Sequence, residues 1–165
     1  MALFDIVVYP DSILKAQTDP VCDINGKLIK IVKNMSNTMY AAKGIGLAGP
    51  QVGLSLSLAV IDTSLGEDTS HSMALINPRI IETHGSTVKE EGCLSFPKIY
   101  APVKRYQSIV IEYINEKGQE IRFEAEDFIA RLLQHEIDHL SGICFIDRIS
   151  MIRRDLIKRK LKKNR

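Results

Sequence analysis

A chain of 165 residues, 45% hydrophobic and 25% charged, has enough apolar content to bury a core in a single domain, so neither a disordered chain nor a repeat array is expected. No apolar run approaches the length of a membrane span, and Met1-Ala-Leu-Phe-Asp has neither the basic start nor the long apolar segment of a signal peptide, which points to the cytoplasm and away from a membrane partner. The net charge of +2 hides an asymmetry: Arg153, Arg154, Lys158, Arg159, Lys160, Lys162, Lys163 and Arg165 stand against Asp155 alone, so residues 153–165 carry +7 and the rest −5.

In chain order, Ile6-Val7-Val8-Tyr9 reads as a short strand stopped by Pro10-Asp11-Ser12, which can open a helical turn toward Leu14. Leu28, Ile31, Val32, Met35, Met39 and Ala42 recur at helical spacing, which predicts a helix over Lys27 to Lys43 with Gly44 as its stop. Leu56 to Ile61 and Met73 to Asn77 read as buried strands around a polar loop, and Ile80 to Val88 as another strand before Lys89-Glu90-Glu91-Gly92-Cys93-Leu94-Ser95. The clearest β signal is a hairpin, Ser108 to Ile114 and Glu120 to Phe123, joined by Asn115-Glu116-Lys117-Gly118. Glu126-Asp127 then open a helix, where acidic residues suit the N-terminal end of the dipole, and Ser150 can cap a last helix that runs into the basic tail. Chemically the chain divides at about residue 148, into a domain of 1–148 and a basic helix or tail of 149–165.

The segment Gln134-His135-Glu136-Ile137-Asp138-His139 carries the strongest chemical signal. At about 100° per residue, histidines four apart differ by about 40° on a helix, so His135 and His139 can reach one metal ion. On the same wheel Glu136 falls in a sector with Ile129, Leu132, Leu133 and Leu140, opposite Ala130, Arg131, Gln134 and Asp138. A carboxylate among Leu and Ile is costly to bury without a partner, whereas beside a metal-bound water it can serve as general base. The bland reading is a helix with two chance histidines.

Two histidines do not complete a site, because catalytic sites of this kind use three protein ligands and leave a position open. The downstream solutions are absent: Phe145 stands where the long metzincin motif needs its third ligand, and no Glu follows Glu136. The three cysteines, an odd count without disulfide-like spacing, fit a reducing compartment and leave a thiolate to bind. Cys144 lies five residues beyond His139 at an awkward angle, Cys22 in an N-terminal loop, and Cys93 in a Gly-containing turn; spacing prefers Cys93 only modestly over burial as a small hydrophobe. Gly44-Ile45-Gly46-Leu47-Ala48-Gly49-Pro50-Gln51 also stands out. Its glycines let backbone approach a ligand, and Gln51 brings an amide able to donate to an oxyanion, although a plain helix-to-strand connector has the same look.

Taken together, three segments resemble the peptide deformylase family: Gly44–Gln51 its first motif, with Gly49 where alanine is usual, Glu91-Gly92-Cys93-Leu94-Ser95 its second, and Gln134–His139 its third, in the same order from about Ile6 to Arg148. The resemblance implies a small α+β domain, antiparallel strands packed around a central HExxH helix with an N-terminal and a C-terminal helix, in the bacterial cytoplasm. The implied activity is removal of the formyl group from the N-terminal formyl-methionine of new proteins. It implies that Cys93, His135 and His139 bind one divalent metal, Fe²⁺ by family habit, although such a donor set also accepts Zn²⁺, Ni²⁺ or Co²⁺. In the implied reaction hydroxide generated at the metal attacks the formyl carbon, Glu136 carries the proton, and Gln51 with the Leu94 backbone N–H steadies the oxyanion. Ile45, Gly46, Glu91, Gly92, Phe128 and Leu132 are the implied substrate surface. The basic tail is the implied ribosome contact, and DNA is not an expected partner.

Three positions depart from the family pattern. Arg131 and Lys89, each four before a motif residue, replace apolar residues that line the methionine pocket in many members, and Tyr100 replaces an arginine near the substrate peptide. Long basic side chains can still line a pocket with their methylenes. Two other function classes are compatible with the residues themselves. One is an HExxH metallopeptidase; the other is a non-catalytic module in which a fourth ligand closes a structural zinc site and the tail binds RNA.

Overall fold

The structure, a computed structural model, describes residues 2–164. A one-turn 3-10 helix over Ser12–Lys15 comes first, the turn expected toward Leu14, and the helix α1 (Gly26–Ala41) follows, started by the Asn25 side chain, which accepts from the Leu28 N–H at 3.0 Å. The strands β1 (Gly46–Ala48), β2 (Leu58–Asp62) and β3 (Ser72–His84) follow, then a ribbon of β4 (Thr87–Cys93) and β5 (Phe96–Arg105), and a hairpin of β6 (Ser108–Ile114) and β7 (Glu120–Glu126). The helix α2 (Asp127–Leu140) carries the two histidines, and α3 (Met151–Lys163) ends the chain, capped by the Ser150 hydroxyl on the Arg153 N–H at 3.3 Å.

Five strands form one antiparallel sheet in the order β1-β2-β3-β6-β7, while β4 and β5 pair only with each other. The apolar stripe of α1, with Leu28, Val32, Met35 and Met39, packs with Leu47, Leu58, Val60 and Ile76 of the sheet. Leu132 and Leu133 of α2 pack on Ile61, Leu75, Ile109 and Ile111, so α2 lies central to the fold. A third cluster joins Leu14, Phe96, Ile99, Val103, Phe145 and Ile146, and there the ribbon and the segment after α2 meet. The expected α+β architecture around the HExxH helix is the one observed.

Two expectations need correction, and one strand was not expected at all. Ile6–Tyr9 is not a strand: its N–H groups go singly to distant carbonyls, Val7 to Gln51 and Tyr9 to Ser95, so no ladder forms. The two strands expected over Met73–Asn77 and Ile80–Val88 are one long β3 that shifts register after Ile76 and again after Ile80, followed by a turn at 85–86. β5 went unread because Pro102 interrupts it, although Phe96, Ile99, Ala101, Val103 and Arg105 are buried in near alternation on its inner face. The apolar residues of α3 divide between core and solvent. Leu161 and Ile157 pack on the third cluster, whereas Ile152 and Leu156 are 76% and 58% exposed.

Candidate metal centre

α2 is buried on nearly every side, including Arg131, Gln134 and Asp138 in the sector opposite Glu136. Those polar residues are satisfied by the ribbon, by Tyr106 just beyond it and by Arg148 after the helix. Gln134 accepts from the Tyr106 N–H at 3.0 Å and donates to the Tyr106 carbonyl at 2.9 Å, and Asp138 takes Arg105 and Arg148. With that sector tied down, His135 and His139 face the turn that ends β4.

There the ligand-capable atoms of Cys93, His135 and His139 lie within 4.8 Å of one another, with Cys93 Sγ 3.3 Å from His139 Nε2. Ligand atoms gathered this closely could share one ion through metal–sulfur and metal–nitrogen bonds of about 2.0–2.3 Å. Cys144 is completely buried and Cys22 is exposed, and neither joins the group. The Nδ1 of His135 meets Glu91 Oε1 at 3.0 Å, which orients the ring and leaves Nε2 to bind. Glu91 is itself held by a two-pronged Arg105 contact at 2.9 and 3.0 Å and by Arg131 at 3.1 Å. Burial alone would push the Glu91 carboxyl up, but hydrogen bonds from His135 and Arg105 outweigh it and draw it down to about 2. Burial holds His139 well below the usual imidazole range, so its ring is neutral near pH 7, the form in which an imidazole can bind a metal.

Glu136 is 3% exposed, and its Oε2 has no hydrogen-bond partner among the described residues. Burial, with the Glu91 charge added, pushes its carboxyl up to about 7 against the pull of His135, the range of a group that both takes and returns a proton near neutrality. A buried carboxyl oxygen without a partner, beside three clustered donors of thiolate and imidazole type, suits an ion with its bound water. No fourth His, Cys, Asp or Glu completes the cluster among the described residues, which leaves the arrangement open rather than closed.

The first glycine-rich segment is not a mere connector, since it forms β1 and a short 3-10 turn over 49–52. Gln51 is buried; its carbonyl accepts from the Ala48 N–H at 2.9 Å, which turns its amide toward Cys93 Sγ and Ser95 Oγ, each 3.4 Å away. A Cβ on Gly46 would strike the Glu136 carboxylate and stand 2.8 Å from Leu132, so glycine is what allows β1 to lie this close to α2. At Gly49 a Cβ would stand 2.7 Å from the Leu56 carbonyl, which explains glycine at a position where the resemblance led to alanine.

A cavity of about 440 Å³ opens beside the cluster. Every residue assigned from the resemblance to the substrate surface lines it: Ile45, Gly46, Glu91, Gly92, Phe128 and Leu132. So do Gln51, Leu94, Cys93, His135 and Glu136, whereas His139 sits behind them. Glu91 turns out to be occupied with His135 and two arginines, so its chief work there is to hold other side chains. Of the three departures, Arg131 and the 66%-exposed Tyr100 line the cavity and Lys89 does not. The roles of Arg105, Asp138 and Gln134 were missed in sequence, where each looks like an ordinary charged or polar residue.

The family model for polypeptide deformylase matches residues 3–155. A peptide deformylase of Thermodesulfovibrio yellowstonii is 46% identical over 162 residues, 98% of each chain. Among solved structures, a peptide deformylase from Legionella pneumophila superposes with TM-score 0.92 at 37% identity, covering 98% of this chain and 95% of that one. The peptide deformylase from Thermotoga maritima gives TM-score 0.85 at 40% identity, covering 91% and 99%. With the model spanning nearly the whole sequence and the fold shared throughout, the chain belongs to the polypeptide deformylase family, metal-dependent enzymes that remove the N-formyl group from nascent polypeptides.

Proposed function

We propose that residues 1–148 form the catalytic unit, with Cys93, His135 and His139 as the ligands of one divalent metal, Glu136 as the proton carrier, and Gln51 with the Leu94 N–H as oxyanion donors. A metal bound there supplies Lewis acidity, lowering the pKa of water and polarising the formyl carbonyl. Fe²⁺ is the proposed native ion, and the thiolate and imidazole donors suit Zn²⁺, Ni²⁺ or Co²⁺ as well. The proposed substrate is the formyl-methionine end of a newly made chain, its side chain in the cavity lined by Ile45, Gly46, Gly92, Phe128 and Leu132.

Glu136, raised to about 7, can accept the proton of the attacking water and return it to the leaving amine, so one group serves both halves of the reaction. Gln51 is held by Ala48 with its Nε2 toward Cys93, and no backbone acceptor takes the Leu94 N–H among the described residues; both donors stand ready for charge that develops beside the cluster. The observation that carries the reading is the unpartnered Glu136 carboxyl oxygen buried next to three clustered ligand atoms at a cavity wall. The tail, 149–165, is proposed as a tether to ribosomal RNA and protein in the cytoplasm, since its basic residues and the exposed Ile152 and Leu156 offer charge and apolar contact together.

The test is formate release from a formyl-Met peptide by anaerobically purified protein of known metal content. Stoichiometric metal with formate release, and no cleavage of the same peptide unformylated, is expected. Cleavage of internal amide bonds instead would make the chain a metallopeptidase and overturn the proposal.

A further inference from the structure

Cys93 rides on the β4–β5 ribbon, which hydrogen-bonds to no other strand, whereas His135 and His139 ride on α2. The α2 backbone lies against β1, β2 and β7 and keeps more distance from either ribbon strand. Whatever fixes ribbon to helix therefore also fixes the distance from sulfur to imidazole. Gln134 does this at the open end of the ribbon, where it pairs with Tyr106. Between that end and the turn carrying Cys93, His135 meets Glu91, and Arg131 reaches both strands and Glu91 as well.

Arg131 stands one helical turn before His135 and is 6% exposed. Its Nη2 donates to the Val103 carbonyl at 2.6 Å, to the Lys89 carbonyl at 2.9 Å and to Glu91 Oε2 at 3.1 Å, and its Nη1 to the Thr87 carbonyl at 3.4 Å. Lys89 and Val103 are cross-strand partners, so the guanidinium grips both sides of one rung of the ribbon. It also holds the carboxylate that orients His135. Arginine's planar fork can serve several acceptors at once; an apolar side chain serves none of them.

We propose that Arg131 is a positioning residue for the metal centre: it clamps the cysteine-bearing ribbon to the histidine-bearing helix and steadies Glu91 against His135. The proposal rests on Cys93, His135 and His139 being the ligand set. Because Gln134–Tyr106, Arg105–Asp138 and His135–Glu91 remain, loss of the clamp loosens the middle of the ribbon without detaching it.

The experiment compares wild-type protein with Arg131→Met and Arg131→Gln, each loaded with one equivalent of Co²⁺. It follows thiolate-to-cobalt absorption, the rate of metal release to a chelator, and hydrogen exchange of amides 87–105 against those of β3 and β6. Release faster by about 10- to 100-fold, the usual scale for removing a group that orients ligands, is expected in both variants. Exchange should quicken in the ribbon while β3 and β6 stay protected. Release within twofold of wild type and unchanged ribbon exchange in either folded variant overturns the clamp. If Arg131→Met does not fold, Arg131→Gln decides alone. Should Cys93→Ser bind Co²⁺ as wild type does, the ligand set has failed and the link to the metal with it, while ribbon exchange still tells whether Arg131 holds ribbon to helix.

Discussion

Glu136 and Cys93 concentrate the chemistry at the residue scale. Glu136 sits between the two histidines in sequence yet does not join their cluster of ligand atoms, and it keeps an unpartnered oxygen in a buried setting. Glu136→Ala should therefore lower turnover by at least about 10²-fold, the lower range for a lost general acid–base group, with bound metal still near one equivalent. Metal loss from the variant, with full activity per remaining metal, would show it to be a ligand instead. Among the cysteines, burial pushes the Cys144 thiol up to about 12, so it offers no thiolate near neutrality, and Cys22 is exposed and outside the cluster. Cys22→Ser and Cys144→Ser should keep metal and activity; Cys144→Ser should cost about 1–2 kcal/mol of stability for a hydroxyl placed in a core, measured by denaturant unfolding. Cys93→Ser should lose metal, and mild oxidation of wild type should inactivate it through the same sulfur.

Between elements, close approach and buried charge set the geometry. β1 passes near enough to α2 that Gly46→Ala must push Glu136 or Leu132 aside. A displacement on the order of 1 Å costs about 10²-fold, so kcat/KM on a formylated peptide should fall by roughly that much while far-UV dichroism stays native; activity within threefold of wild type would mean that β1 yields easily. The Glu91 network ties β4, β5 and α2, and its acid dependence has a definite sign. Glu91 is drawn from 4.5 to about 2 in the folded state, so its contribution is whole above pH 4.5 and disappears as pH falls toward 2. Unfolding measured across that window should lose less stability in Glu91→Gln than in wild type, the variant having already lost it at neutral pH.

At the scale of the whole molecule, the charge is divided between a domain of negative sum and a tail of positive sum. α3 holds on through Ile157 and Leu161 and leaves Met151, Ile152 and Leu156 outside. Removal of 153–165 should leave hydrolysis of short formylated peptides nearly unchanged and abolish co-sedimentation with ribosomes at low salt. The full-length interaction should weaken steeply with salt, as counterion release requires. Equal co-sedimentation of truncated and full-length protein would reduce α3 to a solvated helix.

What the sequence by itself determined is local. The stripe of α1, the cap at Ser150, the hairpin of β6 and β7, and two histidines on one helical face each depend on residues a few positions apart, whose periods of 3.6 and 2 are written in the chain. From the residues alone the third ligand stayed open among three cysteines, and the resemblance had to point to Cys93. Tertiary structure decided what depends on distant partners. Ile6–Tyr9 is strand-like in composition but has no neighbour for a ladder, and β5 is a strand despite Pro102 because β4 lies beside it. Arg131 was read only as a doubtful pocket lining; it does line the cavity, and its guanidinium also spans two strands, 28 to 44 positions away in sequence. A buried ion pair or a backbone clamp leaves no periodic trace, because the side chain that makes it looks like any exposed arginine until the acceptors from the rest of the fold close around it.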